Sequence, residues 1–113
     1  MKKFLLSNDS AWYTYLSKPV LQLLCIDPCK SKVLFTIKNK TLFIEEAHEE
    51  VILKLNNPLV RKLIKKGNSW SLYIPIPVLE LIDVNPENDM IDISVEERIL
   101  LIKKAEDNQI LNR

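Results

Sequence analysis

The sequence repeats itself, since a shift of 58 positions aligns it with itself without a gap. The windows 3–47 and 61–105 share eleven identities over 45 positions. Some identical pairs involve residue types that rarely coincide at one fixed offset, namely Trp12 with Trp70, Tyr15 with Tyr73, Pro19 with Pro77 and Pro28 with Pro86. This repeat constrains the fold strongly, because both copies must form the same unit and bury an equivalent apolar face.

Both copies predict the same order of elements. A short extended segment leads through a polar turn to a second strand rich in aromatic and branched residues, Trp12 to Leu16 in the first copy. A brief helix follows, which Ser17 can cap and whose first turn Pro19 fits. Two alternating strands close the unit, with turns near Asn39-Lys40 and Glu97-Arg98.

A unit of this length buries too little surface to be stable alone, so we predict that the two copies pack as one pseudo-twofold domain. The fold class is mainly β with short helices. The segments are a first, degenerate repeat (1–47), a linker (48–60), a second repeat (61–105) and a short tail (106–113). The linker fits a helical turn or a strand extension, and its apolar residues predict that it packs against the rest.

The composition narrows the class of protein. The chain is 47% hydrophobic and 27% charged, which is typical of a soluble globular domain. Its net charge of +1 means that any nucleic-acid surface must come from local clustering. No stretch approaches the ~20 apolar residues of a membrane span, and the first apolar run is too short for a signal peptide. We therefore expect a cytoplasmic protein without a membrane partner.

Residues for catalysis or metal binding are scarce. Cys25, Cys29 and His48 are the only cysteines and histidine, fewer than a zinc site requires. Two structural thiols are the favoured interpretation of the cysteines. The single glycine, Gly67, excludes a glycine-rich phosphate loop, and no Ser-His-Asp signature is present. We predict no enzyme, no cofactor and no metal site.

The second copy contains a recognisable pattern. A basic strand runs into the turn Lys65-Lys66-Gly67-Asn68-Ser69, and an Ile74-Pro75 step, a short helix with Val78-Leu79 and a hairpin through Ile91-Asp92-Ile93 follow. This pattern, over residues 61–104, resembles the SpoVT/AbrB superfamily and most closely its MazE-like branch. The first copy, 3–46, joins the resemblance only through the repeat.

The resemblance implies a swapped-hairpin β-barrel, which family members usually build from two interlocked chains. This chain would build it alone, as an intrachain pseudo-dimer, and would be a monomer or a homodimer. The resemblance also implies a DNA-binding transcriptional regulator that uses the basic first strand and the following turn. Many members are antitoxins that repress their own operon and neutralise a ribonuclease toxin, so a cognate toxin is the second expected partner.

The chemistry of the residues agrees with a DNA contact. Four cations lie within six residues, and the amide and hydroxyl after them can hydrogen-bond phosphates or base edges. Gly67 suits a turn with positive φ, where Asp9 in the first copy can still adopt the left-handed conformation. The predicted DNA-binding residues are Arg61, Lys62, Lys65, Lys66, Asn68, Ser69, Tyr73, Lys3 and Asn8. The alternative is that the basic run is a solvated strand face.

Several features weigh against a simple transfer from the family. Tyr73 stands where the family often has an arginine, and Ser7 stands where the second copy has Lys65, so the predicted DNA face is lopsided. Trp12 and Trp70 are expected in the core or an interface. An alternative function is a protein-interaction module that neutralises a toxin. Family antitoxins usually do this with a long C-terminal extension, whereas only residues 106–113 follow the last predicted strand, which leaves the linker as the candidate contact.

Overall fold

The computed structural model describes residues 1–106. Within this range the chain forms ten strands and three short helices. In chain order they are β1 (Lys2–Phe4), β2 (Leu6–Asn8), β3 (Ala11–Leu16), α1 (Lys18–Leu23), β4 (Lys32–Lys38), β5 (Thr41–Glu46), α2 (Glu49–Ile52), β6 (Leu59–Lys62), β7 (Ile64–Lys66), β8 (Ser69–Ile74), α3 (Ile76–Leu81), β9 (Met90–Glu96) and β10 (Ile99–Lys104). The mainly β class with short helices is confirmed, and the tail from residue 107 lies outside the described residues.

The strands form two antiparallel sheets with palindromic strand orders. The six-stranded sheet has the order β1-β9-β10-β5-β4-β6, and the four-stranded sheet has the order β2-β3-β8-β7. Because β1 to β5 of the first copy correspond to β6 to β10 of the second, reading a sheet from its other end exchanges the copies. The strands therefore obey a pseudo-twofold axis that passes between β3 and β8 and between β5 and β10.

The two copies exchange their first strands. In the six-stranded sheet β1 pairs with β9, where Lys3 lies opposite Ile91, and β6 pairs with β4, where Arg61 lies opposite Val33. These two pairs are equivalent under the shift of 58 positions. Each copy thus completes the sheet of the other through backbone hydrogen bonds. Closure of the two sheets into one barrel stays a prediction, as do the segment boundaries at 47 and 61.

The first extended segment of each copy is two strands rather than one. Leu5 separates β1 from β2, and Leu63 separates β6 from β7. Both leucine side chains are buried in the core. At this corner the chain passes from the six-stranded sheet into the four-stranded sheet. The corner is stabilised because the leucine side chain at this position is buried in the core between the two sheets.

The repeat extends to the backbone conformation of the turns. Apart from Asn57 in the linker, the described residues with left-handed φ occur in equivalent pairs, namely Asp9 with Gly67, Cys25 with Asp83, Asn39 with Glu97 and Lys40 with Arg98. Two successive left-handed residues define the two-residue hairpins after β4 and β9. The positive φ predicted for Gly67 and Asp9 is confirmed, as is the cap of α1, where the Ser17 hydroxyl accepts from the Val20 N–H.

One hydrophobic core draws on both copies. Equivalent residues such as Ile44 and Ile102 are fully buried in it. Trp12 and Trp70 are half-buried and pack against this core, in line with the sequence prediction. Among residues 1–106, no helix has the length and apolar character needed to cross a membrane.

Two sequence predictions need correction. The linker 48–60 contains the single turn of α2 and the start of β6. Leu59 packs against the core as predicted, but Val51, Leu53 and Leu55 are exposed by 43%, 82% and 44%. A helix of four residues can turn only one side chain toward the core, and here that residue is the half-buried Ile52. Cys25 and Cys29 are exposed and free rather than buried structural thiols.

The exchanged corner predicts a large effect of one core truncation. We expect Leu63→Ala to lower the free energy of unfolding by about 2–5 kcal/mol, because it leaves a cavity where the chain changes sheet. The matched control Leu53→Ala removes an exposed side chain and should change stability by less than about 0.5 kcal/mol. Urea denaturation followed by tryptophan fluorescence measures both. Equal effects of the two substitutions would contradict this arrangement.

Candidate nucleic-acid interface

The strand exchange brings cations of the two copies together. In the pairing of β6 with β4, Lys62 lies directly opposite Lys32, and both side chains are exposed. Like charges at directly opposed positions repel each other, so an anion between them would be favourable. Arg61 precedes Lys62 in β6 and starts from the other face of the strand, opposite Val33; its side chain is exposed and donates to the carbonyl of Val60 at 3.1 Å.

Beyond the corner at Leu63, the chain enters β7, which borders a cleft. Lys65 lies opposite Trp70 in the pairing of β7 with β8, and together with Lys18 and Asn68 it lines this cleft between the two copies. Lys32 and Lys62 do not line the cleft, but each lies three positions along the chain from a residue that does: Cys29 for Lys32, and Lys65 for Lys62. We call the cations of this surface the basic end: Lys18, Lys32, Arg61, Lys62 and Lys65.

The cations of the basic end form no ion pairs within the described part of the chain. Within residues 1–106, none of its five cations takes part in an ion pair with a carboxylate. The five equivalent positions across the pseudo-twofold axis hold one cation: Ile76, Met90, Lys3, Phe4 and Ser7. A chain with a net charge of +1 therefore carries a concentrated positive surface on one side of its symmetry axis.

The outward side of the four-stranded sheet carries a second cluster, which we call the tyrosine face: Asn8, Tyr13, Tyr15, Lys66 and Tyr73. The rings of Tyr13 and Tyr73 are 5.0 Å apart, and the ring of Tyr15 meets that of Tyr13 edge-on at 5.3 Å. The Lys66 ammonium lies 4.5 Å from the ring centroid of Tyr13, within the range of a cation–π contact. The Asn8 amide donates to the Tyr73 hydroxyl at 3.4 Å.

The contacts on the tyrosine face shift pKa values. The Lys66 ammonium, with a smaller contribution from Asn8, lowers the pKa of Tyr73, and Tyr73 in turn raises the pKa of Lys66. The neighbouring Tyr15 hydroxyl raises the pKa of Tyr13. Lys66 is therefore charged at neutral pH, and it stands among aromatic hydroxyls that can donate to an anion.

The structure sorts the nine sequence-predicted residues into three places. Arg61, Lys62, Lys65 and Asn68 lie at or beside the basic end, whereas Lys66, Ser69, Tyr73 and Asn8 lie on the outward side of the four-stranded sheet. Lys3 belongs to neither group. It is half-buried, its ammonium donates to the carbonyl of Tyr15 at 3.3 Å, and burial lowers its pKa.

Sequence reasoning missed Lys18, Lys32 and Tyr13. The two lysines belong to the first copy, whose first strand carries little charge. Pairing between the copies brings them to the second: β4–β6 places Lys32 opposite Lys62, and β3–β8 brings Lys18 to the cleft that Lys65 lines. The repeat itself contained a signal, because Lys18 and Lys32 align with the uncharged Ile76 and Met90 when the sequence is shifted by 58 positions. A comparison of charge between the copies, rather than of identity alone, would have found them.

Within residues 1–106, no three His, Cys, Asp or Glu side chains come together in a group that could hold a metal ion. Comparison of the chain with protein-family models, with curated proteins and with solved structures found no match. The resemblance to the SpoVT/AbrB superfamily therefore stays a prediction, and the candidate site rests on its own residues.

The coupling between Lys66 and Tyr73 predicts a shift that can be measured. We expect Lys66→Ala to raise the pKa of Tyr73, because the ammonium that stabilises the phenolate is removed. The control Lys65→Ala alters a lysine on the other side of β7 and should leave that pKa unchanged. NMR titration of isotope-labelled tyrosine rings, assigned with Tyr73→Phe, gives the values. The same pKa of Tyr73 in both lysine variants would refute this contact.

Proposed function

We propose that this chain is a sequence-specific DNA-binding transcriptional regulator of the AbrB/MazE type, and that it represses its own transcription. The proposed role is binding rather than catalysis. The observation that carries it is the basic end, where exposed cations of both copies meet without a carboxylate partner among the described residues. Cations spaced along a strand and a neighbouring helix are suited to successive phosphates of one duplex.

In this proposal the two surfaces have different tasks. Arg61, Lys62 and Lys65 bind phosphates and fix the orientation of the duplex. Asn68 follows Gly67 in the turn between β7 and β8, and its amide is of the type that can read a base edge. On the tyrosine face, Lys66 and the Tyr73 hydroxyl add donors beside this turn.

The charge asymmetry bears on the stoichiometry. A symmetric dimer of the usual family kind presents two equal binding surfaces, whereas this chain has one basic end and an equivalent end that carries Glu80 and Glu87. One chain is therefore suited to one half-site. A palindromic operator would require two chains, which makes a homodimer on DNA the expected complex.

The salt dependence of DNA binding tests the proposal. We expect the chain to bind a duplex taken from upstream of its own coding sequence more tightly than a shuffled duplex. In Lys62→Gln/Lys65→Gln, the slope of log affinity against log salt should fall by about 2, since two phosphate contacts are lost. Fluorescence anisotropy with a labelled duplex measures the affinity.

The control for this experiment is Lys38→Gln/Lys103→Gln, which removes two exposed lysines outside the basic end. It should leave the slope unchanged. No binding at low salt, or the same reduction in slope in both double variants, would contradict DNA binding through the basic end.

The second candidate function is binding of a partner toxin, and the exposed linker favours it. Val51, Leu53 and Leu55 project from α2 and the turn after it, and among residues 1–106 Leu53 is the most exposed large apolar side chain. Apolar side chains that cluster on a surface are typical of a protein contact. In this function the linker would supply the contact that family antitoxins make with a C-terminal extension.

Coexpression tests this second function. A small ribonuclease-like protein encoded next to this gene should copurify with the wild-type chain. Leu53→Asp/Leu55→Asp should abolish copurification while the thermal midpoint stays within a few degrees, because both side chains are exposed. Equal copurification with the variant would exclude the linker as the contact.

A further inference from the structure

The cleft beside the basic end has the size and the chemistry of a small-molecule site. Its volume is about 380 Å³, and it separates α1 and the following turn of the first copy from the β7–β8 turn of the second. The residues that characterise it are Lys18, Leu21, Gln22, Lys65, Asn68 and Trp70. Pockets of this kind combine an apolar wall with a few polar groups that orient a ligand.

The two kinds of group occupy different parts of the cleft. Leu21 is 3% exposed and belongs to the core, and the half-buried Trp70 packs against that core, so they form an apolar wall. Lys18 and Lys65 are exposed, and one comes from each copy. No carboxylate lines the cleft. The cleft is therefore complementary to a molecule that is flat and apolar at one end and negatively charged at the other.

The equivalent positions across the pseudo-twofold axis have the opposite character. The tryptophan is kept as Trp12, but Gln22 and Cys29 correspond to Glu80 and Glu87. Lys18 and Lys65 correspond to Ile76 and Ser7. The fold alone would make these positions alike, so the cationic character belongs to one cleft and not to the architecture. This difference within one chain is what a site with its own ligand would require.

We propose that this cleft binds a small ligand with a planar apolar body and one anionic group, the anion lying between Lys18 and Lys65 and the body lying against Trp70 and Leu21. Lys65 and Asn68 also belong to the proposed DNA surface. A ligand in the cleft therefore competes with a duplex for these two side chains and lowers DNA affinity. This regulatory part rests on the proposed function, whereas the binding part does not.

Anilinonaphthalene sulfonate is a suitable probe, because it joins a planar aromatic body to one anionic group and its fluorescence rises in an apolar site. The wild-type chain should bind it, and Lys18→Gln and Lys65→Gln should each weaken binding by about tenfold, as expected for a charge-assisted contact. Lys38→Gln is the control and should bind as wild type does. Phenylnaphthylamine, the uncharged analogue, should bind at least about tenfold more weakly.

The two exposed cysteines supply an internal test of location. Cys29 lines the cleft and Cys25 does not. Saturating probe should slow alkylation of Cys29 by N-ethylmaleimide several-fold in Cys25→Ser, and should leave alkylation of Cys25 unchanged in Cys29→Ser. Equal protection of both thiols, or equal probe affinity in wild type and both lysine variants, overturns the cleft as the site.

A competition experiment separates the two parts of the proposal. Saturating probe should weaken binding of the labelled duplex several-fold in the wild-type chain, and about tenfold more probe should be needed for the same effect in Lys18→Gln. Protection of Cys29 with no DNA binding under any condition supports the cleft and overturns the proposed function instead. Protection of Cys29 with DNA affinity unchanged overturns the regulatory part.

Discussion

The exchange of the first strands between the two copies is the interaction on which the rest of the structure depends. Because β1 pairs with β9 and β6 pairs with β4, the first strand of each copy pairs with a strand of the other copy. The copies then share one core. In each copy a buried leucine, Leu5 or Leu63, marks the corner at which the chain passes into the four-stranded sheet. A unit too small to be stable alone thereby becomes half of a larger domain.

The functional asymmetry arises because the two copies differ in sequence. A symmetric fold with two different sequences can carry different chemistry at its two ends, and here one end collects Lys32, Lys62 and Lys65 while the other holds Met90, Phe4 and Ser7. Covalent linkage of the two copies makes this possible, because a dimer of identical chains must repeat every charge. The proposed half-site binding and the proposed ligand cleft are two consequences of this one difference.

The local features of the fold could be predicted from the sequence, whereas the partners of the strands could not be derived from local pattern. The Ser17 cap and the Asn39-Lys40 turn depend on neighbouring residues, so they were predicted correctly. The strand that contains Val33 and the strand that contains Ile91 are equivalent in the repeat, so their local sequence pattern does not decide which of them pairs with β1. The placement of Lys62 opposite Lys32 therefore depends on which copy β6 pairs with, and the exposure of Leu53 depends on the packing around the linker.

Disulfide trapping tests the exchange most directly. In a chain with Cys25→Ser and Cys29→Ser, Lys32→Cys with Lys62→Cys puts two thiols at directly opposed positions of β4 and β6. Phe4→Cys with Lys32→Cys is the matched pair, which would be opposed only if each copy kept its own first strand. The exchange predicts an intrachain disulfide in the first variant and none in the second under mild oxidation. The reverse result, a disulfide between positions 4 and 32 alone, would contradict it.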